Sequence, residues 1–313
     1  MNTNQNLLLS RREFLFMYDI KMGNPNGDPD ENRPRVLPDG TYYVTDVRLK
    51  RFIRDYFKSQ GKNILVDTIE KETTNLTGRV ADYLEKNKMA KCEGEEIVKI
   101  LLDSFIDARL FGSSFAFKKQ GDWEPKPIPK TMTGAVQINH GEVLHQAQEV
   151  DIHGTSVFGS SEEKGAGTFT TYHALRYALI GFNGVANEHS AQISQLSEDD
   201  YSDFIIAMWN SVRSAGNTRT KIGQVPRLLI NVQYKQGIEF QYGMLTDYVK
   251  LTARNQKPEI EWSCPEDYLV DLTLLRKRLI EQKAKIDRIS YCVSPDLSID
   301  QNFPTDWSVL KID

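Results

Sequence analysis

The sequence predicts an α+β fold built on a ferredoxin-like β-α-β-β-α-β core. Three observations lead there. Phe14, Phe16, Tyr18, Ile20 and Met22 recur at every second residue, the period of a half-buried strand. Leu49, Phe52, Ile53, Tyr56 and Phe57 then recur at helical spacing and mark an amphipathic helix. The same succession returns later, where the apolar run at residues 172–182 precedes a second amphipathic helix and an alternating segment at 227–234.

Each element has its own local cause. The first strand covers residues 13–22. Residues 23–40 are rich in Gly, Pro, Asn and Asp and too broken by proline to hold regular structure. Thr45 or Asp46 supplies an N-cap for the first helix. Residues 61–130 change to a mostly helical pattern, clearest at 80–84 and 95–105, and close on Pro125, Pro127 and Pro129; they read as an insertion packed beside the core. Residues 134–148 read as a strand or hairpin. Residues 151–171, Gly- and Ser-rich with an acidic pair at Glu162-Glu163, read as an exposed, mobile arm. Ser197 followed by Asp200 resembles a capping box, opening a helix that carries Tyr201, Phe204, Ile205, Met208, Trp209 and Val212 on one face. The final third adds a helix near 272–285 and a short strand at 288–293.

Composition narrows the function classes. At 313 residues the chain can build one large domain or a core with insertions, and 40% hydrophobic with 26% charged residues excludes a disordered protein. No run of about 18 apolar residues exists, so no membrane span is expected. The start of the chain, with Leu7-Leu8-Leu9 unpreceded by charge, does not read as a convincing signal peptide. Cys92, Cys264 and Cys292 are odd in number and far apart, which suits a free-thiol, cytoplasmic protein. A net charge of −4 argues against promiscuous nucleic-acid binding, yet leaves room for a groove that is basic only locally.

The candidate chemistry is cationic rather than catalytic. At about 100° per residue, Lys50, Arg51, Arg54 and Lys58 share one arc of the first helix. Such a stripe is either a solvated face with Asp55 as partner or a grip for an anion; the Asn/Gly/Asp loop before it, whose backbone N–H groups can also meet phosphates, brings the two readings level. That loop, Asn24-Pro25-Asn26-Gly27-Asp28-Pro29-Asp30, spaces oxygen donors like a calcium site, but the turn glycine comes early and Arg35 stands where a closing Glu belongs. Residues 217–221, Asn-Thr-Arg-Thr-Lys, join the second helix to the last core strand and offer phosphate-binding side chains in Arg219 and Lys221, or a plain polar loop. His140 and His145 are one residue too far apart for a zinc helix and point to opposite faces of a strand, so they read as polar contacts. Gly165-Ala166-Gly167 opens no helix and reads as a hairpin tip. Phe111-Gly112-Ser113-Ser114-Phe115-Ala116-Phe117-Lys118 only loosely echoes the aromatic motif of an RNA-recognition module, so any RNA contact is expected through backbone and loops. No catalytic constellation, metal set or cofactor motif is expected.

Several of these motifs together resemble one family. Residues 14–21, the loop from Asn24 to Asp30, Pro34-Arg35, Val44-Thr45-Asp46-Val47 and residues 49–56 are similar to the backbone subunit of type I CRISPR Cascade, in its subtype I-B form first and its I-C form next. Thr133-Gly134-Ala135-Val136-Gln137, Gly167-Thr168-Phe169 and residues 217–229 continue the match, which spans about residues 12–250. The resemblance implies a modified RNA-recognition palm at 12–60 and 131–250, a helical finger insertion at 61–130, a thumb hairpin at 147–171, and a C-terminal extension at 251–313. It implies a non-catalytic protein that oligomerises along CRISPR RNA and presents guide bases to target DNA. Its partners would be neighbouring copies and the large, small and 5′-handle-binding subunits. The residues matching the RNA-gripping positions are Asn24, Asn26, Lys50, Arg51, Arg54, Arg219 and Lys221; Lys58 lies outside the strongest match. The related type III backbone subunits suggest an alternative, a metal-dependent endoribonuclease in which Asp28 or Asp30 acts.

Overall fold

The structure is a computed structural model that describes residues 6–69, 74–119, 123, 125, 131–155 and 169–312. Its spine is β1 (Arg12–Gly23), which is buried almost throughout. The alternating set Phe14, Phe16, Tyr18 and Ile20 faces one core, while Leu15 and Met17 face a second core on the other side. The strand is therefore buried on both faces. Its alternation looked half-buried because the residues that cover the second face lie more than 200 positions away.

After the loop and β2 (Tyr43–Val44), α1 (Asp46–Ser59) starts at Thr45, whose side chain accepts the Arg48 N–H. Leu49, Phe52, Ile53 and Phe57 pack it on the sheet. The insertion follows as α2 (Leu76–Lys86), α3 (Glu95–Ser104), α4 (Ile106–Phe111) and β3 (Gly112–Ser114), which pairs with β4 (Thr131–Thr133). It has its own small core of Leu65, Val80, Leu84, Ile97, Leu101 and Phe105. Next come β5 (Val136–Ile138) and β6 (Gly141–Val143), and these do not pair with each other as a hairpin would. Both pair antiparallel with β8 (Phe169–Ala186), as does β7 (Glu149–Thr155). Residues 151–155 are thus strand rather than loose arm. Glu162-Glu163, Gly165-Ala166-Gly167 and Pro127 and Pro129 lie outside the described residues.

The chain continues through α5 (Glu188–Ser194) and α6 (Glu198–Ser214), which begins at the expected Ser197/Asp200 capping box, into β9 (Gln224–Tyr234). A C-terminal segment adds β10 (Lys250–Ala253), β11 (Tyr268–Asp271), α7 (Thr273–Glu281), β12 (Ile286–Val293) and β13 (Ser308–Val309). The main sheet runs β13-β12-β9-β1-β8-β6-β2 and is mixed: β12 and β13 pair parallel and the other described pairs are antiparallel. Helices α1 and α6 cover one face through Phe52, Ile53, Phe204, Ile205 and Met208. The C-terminal segment covers the other with Leu245, Trp262, Tyr268, Leu272, Leu275 and Leu279. No helix among the described residues is long and apolar enough to cross a membrane.

Candidate nucleic-acid interface

Three segments distant in sequence meet where β1 ends. Gly23 and Gly223 make the approach possible: a Cβ at the first would lie 2.6 Å from the Thr220 carbonyl, and at the second 2.3 Å from that of Lys21. The Asn24 N–H donates to Thr220 O at 3.1 Å, and the Lys221 ammonium donates to the Asn24 carbonyl. Asn26 joins α1 to this pair. Its Oδ1 accepts from both the backbone N–H (2.9 Å) and the hydroxyl (2.8 Å) of Thr45, the α1 N-cap. Asn24 and Asn26 are 2% and 4% exposed, so the amides expected at the surface work beneath it. Asn24 Nδ2 donates to the Asn32 carbonyl at 2.7 Å.

Asp28 is occupied in the same way. Its Oδ1 accepts from the N–H groups of Asp30 (2.9 Å), Glu31 (2.8 Å) and Asn32 (3.1 Å), closing the turn. Hydrogen bonds from these amides, that of Glu31 foremost, hold its carboxyl below the usual range. Asp30 is exposed, and neither it nor Asp28 belongs to a group of three or more His, Cys or carboxylate side chains placed to hold a metal among the described residues. The one such cluster among the described residues, Glu149, Asp151 and His173 at the base of the β7–β8 ribbon, contains Arg33 at 2.6 Å from Glu149 and 3.7 Å from Asp151. A guanidinium there supplies the positive charge that a metal would.

The stripe on α1 forms as the periodicity requires, but each cation faces a carboxylate of its own chain. Lys50 lies 2.8 Å from Asp46, Arg51 2.6 Å from Asp55, Arg54 2.9 Å from Asp107 and Lys58 2.5 Å from Asp67. Mutual repulsion is thereby relieved within the protein. The four differ in what they can release. Arg54 is buried against Asp107, which also accepts the Leu65 N–H at 2.7 Å and the Val66 N–H at 3.1 Å, so this pair anchors the insertion to α1. Arg54 and Lys50 further pack over the Phe111 ring. Arg51 and its partner Asp55 are 43% and 51% exposed, where an ion pair is worth only about 0–1 kcal/mol and a phosphate can displace it. Lys58 is 55% exposed, but its partner Asp67 is only 6% exposed and depends on it for compensation.

In the loop after α6, Arg219 is exposed and lies 4.0 Å from the centre of the Tyr172 ring, tying the loop to β8. Lys221 is half-buried. Burial first, and then the nearby Arg48, push its ammonium down to about 8. Arg48 is the cation that periodicity misses, because it stands on a different flank of α1 from the stripe. Only its tertiary partners draw attention to it.

The histidines behave as polar contacts. His140 Nδ1 accepts the Asp46 N–H at 3.2 Å on the exposed side. His145 is buried; its Nε2 accepts the Leu179 N–H at 3.2 Å, which leaves Nδ1 to donate to the Gln146 carbonyl at 3.0 Å. Burial lowers its pKa, favouring that neutral form.

Known proteins resemble the chain over most of its length. A family model described as CRISPR-associated protein Cas7 matches residues 10–273. A CRISPR-associated protein Cas7 of Haloferax volcanii is 29% identical over 307 residues, covering 93% of this chain and 89% of that protein. A chain of a pre-nicking CRISPR RNA-guided surveillance complex matches at a TM-score of 0.55 with 12% identity, covering 96% of each chain. A chain of another CRISPR RNA-guided surveillance complex matches at 0.50 with 13% identity, covering 95% and 94%. At such identities the structural likeness speaks for the fold alone.

Proposed function

This chain belongs to the Cas7 family of CRISPR-associated proteins, and from that premise we propose that it is a non-catalytic backbone subunit of a type I Cascade. Copies of it assemble along CRISPR RNA and present guide bases to target DNA, beside the large, small and 5′-handle-binding subunits. The observation that carries this reading is the convergence of the Asn24–Asn26 loop, the α1 cations and the 217–221 loop at one end of the sheet. Residues 24, 26, 50, 51, 54, 219 and 221 fall into two groups within it. Arg51 and Arg219 reach the backbone directly, and Lys221 from the edge of a cleft. Asn24, Asn26 and Arg54 hold the surface in shape, and Lys50 stands between the two groups.

The strand order β9-β1-β8-β6, with α1 and α6 on one face, supports a palm of the RNA-recognition type. Its finger is 61–130 and its thumb 147–171. Ordinary modules of that type stack bases on the open sheet face. Here that face lies under the C-terminal segment, so the grip falls to loops and helix cations. A head-to-tail contact between copies repeats as an open helix whose length the RNA sets.

Filter binding of guide RNA across a salt series tests the reading. In the double variant Arg51→Ala, Arg219→Ala, affinity falls and the log–log salt slope flattens by about 0.7 for each phosphate that is no longer neutralised. Unchanged affinity and slope would remove these cations from the interface. With Mg²⁺ present the RNA stays intact; cleavage abolished by Asp28→Ala would establish a nuclease instead.

A further inference from the structure

Between α1 and the end of α6 lies a cleft of about 330 Å³, lined by Arg48, Asp55 and Ser59 on one side and by Ser214, Asn217 and Lys221 on the other. Its charge is unbalanced. Asp55 is the only carboxylate among the lining residues, and it is engaged by Arg51 at 2.6 Å. Arg48 has no carboxylate partner among the described residues; its guanidinium rests near the Phe52 ring, 5.9 Å from the centroid. Lys221 spends one of its three N–H bonds on the Asn24 carbonyl. The C-terminal end of α6 contributes about half a negative charge, which leaves most of two positive charges uncompensated.

Polar groups on residues next to these two cations are also incomplete. The Tyr18 hydroxyl, Asn24 Oδ1 and both amide atoms of Gln224 are buried with no hydrogen-bond partner among the described residues. Tyr18 feels the charge of Arg48, while Asn24 and Gln224 meet Lys221 through their backbones: the Asn24 carbonyl accepts from its ammonium, and the Gln224 N–H donates to its carbonyl at 3.1 Å. At the mouth, the side chains of Ser214 and Asn217 make no hydrogen bond among the described residues and are exposed.

We infer that this cleft is a binding site for a single phosphate group, held by Arg48 and Lys221 with Ser214 and Asn217 completing its hydrogen bonds. The identity of the donor rests on the RNA-binding reading above: the phosphate is a backbone phosphodiester of the guide. Arg48 lies roughly 100° around α1 from the centre of the cation stripe, with Arg51 between them. A strand that crosses α1 therefore meets the exposed cations first and seats one phosphate in the cleft. Free phosphate carries the same chemistry and is the alternative source.

The test uses the full chain with two probes, inorganic phosphate by calorimetry and guide RNA by filter binding at pH 7 to 9.5. Arg48→Gln loses phosphate binding, weakens RNA binding about tenfold and flattens the salt slope by about 0.7. Arg48→Lys, which keeps the charge, restores part of the affinity, and thermal melts confirm that both variants fold. The pH profile adds a readout that a structural role does not move. Lys221 titrates near 8 in the free protein, and the bound phosphate raises it. Binding then takes up a proton, so RNA affinity falls as pH rises through 8 to 9.5. The charged groups that line the cleft with Lys221 are Arg48 and Asp55 of α1, and the residues lining it from α6 and its loop carry only hydroxyl, amide and methyl side chains; Tyr18 of β1 lies near Arg48. Burial holds the Tyr18 hydroxyl above that window. Lys221→Met abolishes the pH dependence.

Wild-type RNA affinity, slope and pH profile in Arg48→Gln would overturn the cleft site and leave the RNA reading standing. A wild-type protein that fails to bind RNA but binds phosphate through Arg48 would overturn the RNA reading and assign the cleft to free phosphate. Failure with both probes overturns both.

Discussion

At the scale of single residues, Arg54 shows how one cation can belong to a basic stripe and still serve the fold. Its guanidinium lies 2.9 Å from a carboxylate that is 1% exposed. Removing one partner of such a pair strands a buried charge and costs about 3–5 kcal/mol. Arg54→Ala should lower stability by that amount in urea unfolding; a loss under about 1 kcal/mol would mean that Asp107 finds another partner. The variant is consequently a poor probe of RNA contact, and Arg51 is a better one. Asn26 has a similar double life. Asn26→Ala leaves the Thr45 N–H unpaired at the head of α1, and a loss of about 1–3 kcal/mol is expected. If urea unfolding shows no loss, Thr45 holds the cap unaided.

At the scale of elements, the join between insertion and core depends on Asp200. Arg109 of α4 meets this carboxylate with two bonds of 2.7 Å, while Asp200 also closes the Ser197 capping box of α6. Burial pushes the Asp200 pKa up, but Arg109 and the Ser197 bonds outweigh it and hold it below the ordinary value. A depressed folded-state pKa contributes stability that is fully present above about pH 4 and is lost as pH falls through the folded value. Acid titration of the fold should therefore lose part of its dependence below pH 4 in Asp200→Asn. An unchanged acid limb in that variant would place the sensitivity elsewhere.

At the scale of the whole molecule, the C-terminal segment converts an open sheet into a two-sided one. Trp262 is 1% exposed, packs against His145 and Tyr268 at 5.0 and 4.9 Å, and donates its indole N–H to the Lys257 carbonyl. Trp262→Ala should cost about 3–5 kcal/mol. Deleting residues 245–313 exposes Leu15, Met17, Leu228, Ile230 and Val232 on one contiguous face. Gel filtration of that truncation should show aggregates rather than a monodisperse palm. A monodisperse product would mean that the four-strand core tolerates its bare face.

The sequence by itself determined β1, α1, α6 and β9 in their order, an α1 N-cap at Thr45 or Asp46, the α6 cap at Ser197, and the arc of cations. Each of these is written in local periodicity and capping chemistry, which act over a few residues. The tertiary structure decided what those features are for. Whether Arg51 or Arg54 is free to meet a phosphate depends on Asp107, 53 positions from Arg54. Arg48 became a candidate only because the loop after α6 folds Lys221 against it. The second face of β1 read as solvent-facing because its cover is the far end of the chain. Charge compensation and burial are set by neighbours in space, and a linear pattern carries no record of which neighbours those are.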